Sequence, residues 1–223
     1  MASHLDLEEQ EQLDELKHFW QRWGDLITWL LIVVLGGYAA WMGWQSYAAK
    51  QALQSAALYD TVERSAVGGD DALLDRSLSD IKEKFAGTTY AQQAALLAAR
   101  VYQNKNRKTD AKAQLAWVID KAGDEGYQAL ARLRLAALLI DEKAYDEARK
   151  HLTAATPDAF APLMADRLGD LAMLQAQPAE AVQHYKSAWK GFEPNAEYRR
   201  LVAVKLSALG ADPEDAPAVE MKK

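Results

Sequence analysis

The 223-residue chain contains no cysteine, which removes disulfides, thiolate metal ligands and thiol nucleophiles together. Histidine is almost as scarce. His4, His18, His151 and His184 are scattered, and no two stand at the His-x-x-x-His spacing of a helical metal site. Neither Gly-x-Gly-x-x-Gly nor a Gly-Lys-Ser/Thr tripeptide is present, so Gly68-Gly69 reads as a turn and not a phosphate loop. These absences leave no acid, base or nucleophile set, and the expectation is a non-enzyme without cofactor, metal or small-molecule substrate. Clustered Lys and Arg are also missing, which argues against nucleic acid.

The formal charge of −6 is unevenly placed. Residues 1–25 hold seven acids and two bases, a net −5; the remainder holds twenty-five acids and twenty-four bases, a net −1. An acidic arm therefore precedes a nearly neutral body. The arm's Leu5, Leu7, Leu13 and Leu16 allow a short amphipathic helix for a cytoplasmic partner, and a solvated flexible arm remains the alternative.

Between Asp25 and Lys50 there is no charged side chain, and residues 26–44 form a strongly apolar run. At about 1.5 Å per residue this covers a hydrocarbon layer of roughly 30 Å. Five of the seven Trp fall here, Trp20 and Trp23 before the run, Trp29 within it, and Trp41 and Trp44 at its end, joined by Tyr38 and Tyr47. Such rings favour the headgroup level on both sides. The expectation is one membrane-spanning helix over 25–46. A buried core helix and a cleavable signal peptide are the rival readings; the first seldom needs so long a run, and the second wants a basic leader where this chain is acidic. Lys17 and Arg22 on one side and Lys50 and Arg64 on the other nearly balance, with a slight preference for a cytoplasmic N-terminus. Within the span, Gly36-x-x-x-Ala40 and Ala39-x-x-x-Gly43 place small residues where another helix could approach.

Beyond the span the chain is rich in Ala (42 overall) and has Pro at only six positions, which favours helices over sheet. The fold class expected is all-α. Turn signals divide the chain at intervals of about 12 to 18 residues. A helix is expected over 72–86, capped by Asp70 or Asp71, with Leu74, Leu78, Ile81 and Phe85 on one face. Thr89 and Asn195 are expected as caps of two later helices. Residues 45–66 extend the membrane helix, with Leu53, Ala56, Ala57, Leu58 and Val62 as an apolar stripe.

A period is present in this region. A small residue, a large apolar residue four positions later and a small apolar residue three beyond it occur as Ala111-Leu115-Val118, Ala148-Leu152-Ala155 and Ala181-Tyr185-Ala188. Twelve residues before each set stand Ala99, Ala136 and Gly169, followed by Tyr102, Leu139 and Ala172. Successive copies are 37 and 33 residues apart, bracketing the 34 of the tetratricopeptide repeat, whose small positions let two helices approach closely. The first-helix Trp of that repeat is replaced by Ala95, Arg132 and Ala165, and chance spacing in Ala-rich hairpins is the competing explanation.

The expected organisation is an acidic cytoplasmic arm over 1–24, a span over 25–46, a stalk and atypical capping helices over 47–88, a tetratricopeptide-like solenoid over 89–210 and a flexible tail over 211–223. In such a stack the first helices of the hairpins line the concave side. That register offers Gln93, Leu96, Arg100, Gln103 and Asn104 from the first unit, Leu130, Leu133, Ala137 and Ile140 from the second, and Leu163, Asp166, Asp170 and Met173 from the third as a protein-binding surface. Its Leu and Met could instead belong wholly to the core.

Three stretches carry a family resemblance: Thr88-Thr89-Tyr90-Ala91-Gln92-Gln93-Ala94-Ala95-Leu96, Ala131-Arg132-Leu133-Arg134-Leu135-Ala136, and Arg167-Leu168-Gly169-Asp170 followed by Ala181-Val182-Gln183-His184-Tyr185. With the acidic arm and the Trp-flanked span, they make the chain resemble the YfgM family of ancillary SecYEG translocon subunits. The resemblance implies a type II single-pass protein of the cell inner membrane, N-terminus in the cytoplasm and repeat domain in the periplasm. It further implies work beside the SecYEG translocon and the membrane protein PpiD, helping to pass emerging secretory polypeptides to periplasmic chaperones. The alternative it allows is a membrane-tethered regulator whose acidic arm binds a cytoplasmic stress-response regulator.

Overall fold

A computed structural model describes residues 7–213, with side chains described from residue 17 onward. The described residues form α1 (Leu7–Gly68), α2 (Asp71–Lys84), α3 (Thr89–Asn104), α4 (Lys108–Lys121), α5 (Glu125–Asp141), α6 (Tyr145–Leu152), α7 (Ala161–Leu174), α8 (Pro178–Gly191) and α9 (Glu197–Ala208), with no strand among them. The protein is all-α, as its composition predicts. It divides into two compact units, residues 1–53 and residues 54–223. The expected tail falls mostly outside the described residues; Ala211 packs against the core of the second unit.

In the first unit, α1 is helical from Leu7 through the acidic segment and on through the apolar run without interruption. Its 18-residue apolar window has a mean hydropathy of 1.8 and is 0% buried. A core helix of that composition would be covered, so α1 carries a candidate membrane span. The Thr28 hydroxyl near the start of the run donates to the Gly24 carbonyl at 2.7 Å, so it enters apolar surroundings already satisfied.

The second unit begins with the last turns of α1. Val62 is fully buried, and Leu58, Tyr59 and Ala66 pack beside the core. Of the expected stripe Val62 is buried, Ala56 and Leu58 are half-buried, and Leu53 and Ala57 are exposed; Ser55 and Ser65 are buried as well. Three hairpins follow, α3/α4, α5/α6 and α7/α8, with α9 closing the series. Caps lie within a residue of expectation: Asp70 accepts from the Leu73 N–H at 3.0 Å, and Thr88, one residue before the expected Thr89, accepts from the Ala91 N–H at 3.3 Å. Asn195 does not cap α9. Ala196 occupies that position without a side-chain bond.

The repeat is most visible in its turns. Each hairpin closes through three residues whose middle member has a left-handed backbone: Asn106 (φ 60°), Lys143 (φ 61°) and Ala176 (φ 57°). The same bond recurs each time, from the Arg107 N–H to the Tyr102 carbonyl (2.8 Å), from Ala144 to Leu139 (2.8 Å) and from Gln177 to Ala172 (2.9 Å). This pattern ends a helix by satisfying its orphan carbonyls. Lys143 and Ala176 hold it without glycine, at a cost of about 1 kcal/mol each.

Packing follows the small-residue register. Ala99, Ala136 and Gly169 are buried on α3, α5 and α7, opposite the buried sets Ala111-Leu115-Val118 on α4, Ala148-Leu152 on α6 and Ala181-Tyr185-Ala188 on α8. Ala155 is the exception: α6 ends at Leu152 and Ala155 is exposed. Pro157 explains this, because it disfavours helical backbone at Thr156 and stops the second hairpin short. At Gly169 the approach is closest; a Cβ there would meet the buried Tyr185 ring at 2.5 Å.

Two substitutions test this geometry in opposite directions. Gly169→Ala should cost about 1–3 kcal/mol in urea unfolding by forcing the Tyr185 ring aside, whereas an unchanged midpoint would show that the helices are not in contact there. Ala176→Gly should leave the fold intact and stabilise it by up to about 1 kcal/mol; a loss would mean that the turn is not left-handed.

Candidate protein-binding surface

The inner face of α3, α5 and α7 carries three adjoining depressions. Ala99, Arg100, Gln103, Leu115 and Arg134 line the first, of about 260 Å³. Leu133, Arg134, Ala137, Leu163, Arg167 and Tyr198 line the second, of about 210 Å³. The third, about 450 Å³, lies among Ala137, Ile140, Asp141, Arg167, Asp170, Met173, Leu174 and Tyr185. Arg134 is shared by the first two, and Ala137 and Arg167 by the second and third, so they form one trough crossing three helices.

Of the residues expected on this surface, Arg100, Gln103, Leu133, Ala137, Ile140, Leu163, Asp170 and Met173 line these depressions, while Asn104 and Leu130 line none of the three. Arg100, Gln103 and Asn104 are exposed, Leu130, Leu133, Ala137, Ile140, Leu163 and Asp170 are half-buried, and Met173 is 40% exposed. Gln93 is half-buried and donates to the Tyr127 hydroxyl at 2.7 Å, tying α3 to α5. Two expected residues are not available to a partner. Leu96 is only 6% exposed, turned into the core on its Ala-rich helix, and Asp166 is fully buried. In the other unit, Gly36, Ala39, Ala40 and Gly43 are all exposed, and a Cβ at Gly36 or Gly43 would meet nothing within 4 Å.

Asp166 was misplaced because α9 covers it. Tyr198 donates its hydroxyl to Asp166 Oδ2 at 2.9 Å, and Lys205 Nζ donates to Asp166 Oδ1 at 2.7 Å. Lys205 also reaches Asp170 Oδ1 at 2.7 Å, which accepts from the Tyr185 hydroxyl at 2.8 Å as well. A buried carboxylate needs such compensation, and here both of its oxygens are taken. Burial, reinforced by the Asp166 hydrogen bond, pushes the Tyr198 hydroxyl up to about 12; burial and Asp170 push Tyr185 up as well. These phenols stay protonated as donors at neutral pH. The network fastens the last helix to α7, with Tyr198 lining the second depression.

Arg134 and Arg167 line the trough and were not singled out from the sequence. The signal was present: each stands two positions before the small residue of its helix, Ala136 or Gly169. Arg134 crosses to α3, where its Nη1 donates to the Leu96 carbonyl at 3.3 Å. No group of three or more His, Cys, Asp or Glu able to hold a metal ion occurs among the described residues.

A candidate span followed by stacked helical hairpins with an open inner face defines a tetratricopeptide-like scaffold, a non-catalytic class of protein. The tetratricopeptide repeat-like domain family matches residues 17–211. The chain is 33% identical over 94% of its length to all of a Neisseria gonorrhoeae protein named Ancillary SecYEG translocon subunit. Proteins of the same name from Haemophilus influenzae and Escherichia coli K12 are 26% and 27% identical, each over 82% of this chain and covering 89% and 85% of the relative. The chain belongs to this family of ancillary translocon subunits, the YfgM family.

Removing the buried carboxylate should unlock α9. Asp166→Ala is expected to cost about 3 kcal/mol, read as faster amide exchange in α9 than in α3. Exchange in α9 no faster in Asp166→Ala than in the unaltered chain would contradict the network's role.

Proposed function

We propose that this chain is a membrane-anchored adaptor of the SecYEG translocon, without enzymatic activity, which helps pass emerging secretory polypeptides to periplasmic chaperones. The observation that carries it is an open trough across three hairpins, on a chain whose relatives are named for the translocon. The division of labour follows the sequence: a cytoplasmic arm over 1–24, a single pass of the inner membrane over 25–46, a stalk and cap over 47–88, and a periplasmic binding domain over 89–210. Aromatic rings at both ends of the span, Trp20 and Trp23 against Trp41 and Trp44, support a fixed depth in the bilayer. The small residues Gly36, Ala39, Ala40 and Gly43 would let the span pack closely against a translocon helix, with PpiD as a neighbour.

The binding mode suits the chemistry of an unfolded chain. Half-buried Leu133, Leu163 and Ile140 and exposed Met173 offer apolar contact, while the arginines can bond to main-chain carbonyls of any sequence. Such a surface holds a passing segment weakly and releases it.

A photocrosslinker at Met173 should capture a secretory polypeptide arrested during export, and one at Gly36 or Ala40 a translocon subunit. Crosslinkers on the outer face of α9, at Val204, should capture neither. Absence of both products from the trough and the span would remove the proposal.

A further inference from the structure

The trough is electrostatically lopsided, although the residues after the span are nearly neutral. Arg100 and Arg134 share its first depression, and Arg134 and Arg167 its second. Carboxylates enter only at the third, as Asp141 and Asp170. Asp170 is already engaged by Lys205 and Tyr185, at 2.7 and 2.8 Å, and it accepts from Arg167 at a longer 3.2 Å.

Arg100 and Arg134 differ from the other well-placed arginines. Arg107 is held by Asp75 and Asp110, and Arg149 by Glu180. Among the described residues neither Arg100 nor Arg134 makes an ion pair, and the bond from Arg134 to the Leu96 carbonyl uses one of its five donors. Burial holds the Arg134 guanidinium below the ordinary arginine range, and the charge of Arg100 lowers it further. Both are exposed side chains of like charge sharing one depression, and a carboxylate bound between them would take up their free donors through charge-assisted, bidentate bonds.

The opposite end has another character. Met173 and Leu174 are 40% and 57% exposed beside half-buried Ile140, an apolar seat continuous with the basic one. Taking the trough as the polypeptide-binding surface of the proposed function, we infer that it selects acidic segments. The carboxylates lie between Arg100 and Arg134, and an apolar side chain farther along the same segment, beyond the second depression, seats on Ile140, Met173 and Leu174.

The test uses the full chain in phosphatidylcholine nanodiscs and three labelled, unstructured peptides of one apolar pattern bearing Asp/Glu, Asn/Gln or Lys. Fluorescence anisotropy should show the acidic peptide binding about tenfold more tightly than the amide peptide, the difference shrinking at high salt, and the Lys peptide weakest. Arg100→Gln with Arg134→Gln should make the acidic and amide peptides equal, with thermal unfolding measured to confirm the fold. Met173→Ser with Leu174→Ser should weaken both peptides alike. Equal binding of acidic and amide peptides to the unaltered chain would overturn charge selection and leave the trough as a general polypeptide surface. No binding of any peptide would overturn both. Displacement of the acidic peptide by phosphatidylglycerol vesicles would assign the arginines to lipid headgroups instead and overturn the inference.

Discussion

Close approach of the two helices in each hairpin is the constraint on which the second unit depends. Ala99, Ala136 and Gly169 stand where a larger side chain would separate the helices, and at Gly169 even a methyl group meets the Tyr185 ring. Burial of the facing positions, among them Leu115, Val118, Leu152 and Tyr185, supplies the stabilisation, at about 1.5–3 kcal/mol for each large apolar side chain. Three copies of one turn, each with a left-handed middle residue, then set the angle at which the chain returns. The trough is a consequence of that repetition: equivalent faces of α3, α5 and α7 fall side by side, and what they carry becomes one surface.

The local features were legible in the sequence because they are encoded locally. Helix period, the Asp70 cap and the small-residue register each involve residues within about one turn or one hairpin, and the described helices agree with them to within a few residues. Steps of 37 and 33 in the sequence reappear as the steps between Asn106, Lys143 and Ala176. Pro157 was visible too, but its effect in shortening α6 was not drawn from the spacing pattern alone.

What the sequence hid was non-local. Asp166 lies at an inner-face register position, yet α9 arrives from more than thirty residues away and seals it with Tyr198 and Lys205. Leu96 shares its helix with so many Ala that the buried arc widens to include it. Arg134 and Arg167 stand at a regular place beside the small residues of their helices, but their significance lies in sharing one depression across α5 and α7, which no single helix shows. In the first unit the reverse holds: among the described residues none in the apolar window of α1 is buried, so its reading as a membrane span rests on length, composition and that exposure.

The proposed adaptor role requires that a client polypeptide bind on the trough and nowhere else, and side-chain footprinting tests that most directly. In the full chain in a lipid bilayer, Met173 and Leu174 line the trough, while exposed Leu201 and Val204 of α9 line none of its three depressions. Adding an unfolded secretory polypeptide should protect Met173 and Leu174 from hydroxyl-radical oxidation and leave Leu201 and Val204 as reactive as before. Protection of Leu201 and Val204 with Met173 and Leu174 unchanged would contradict the account.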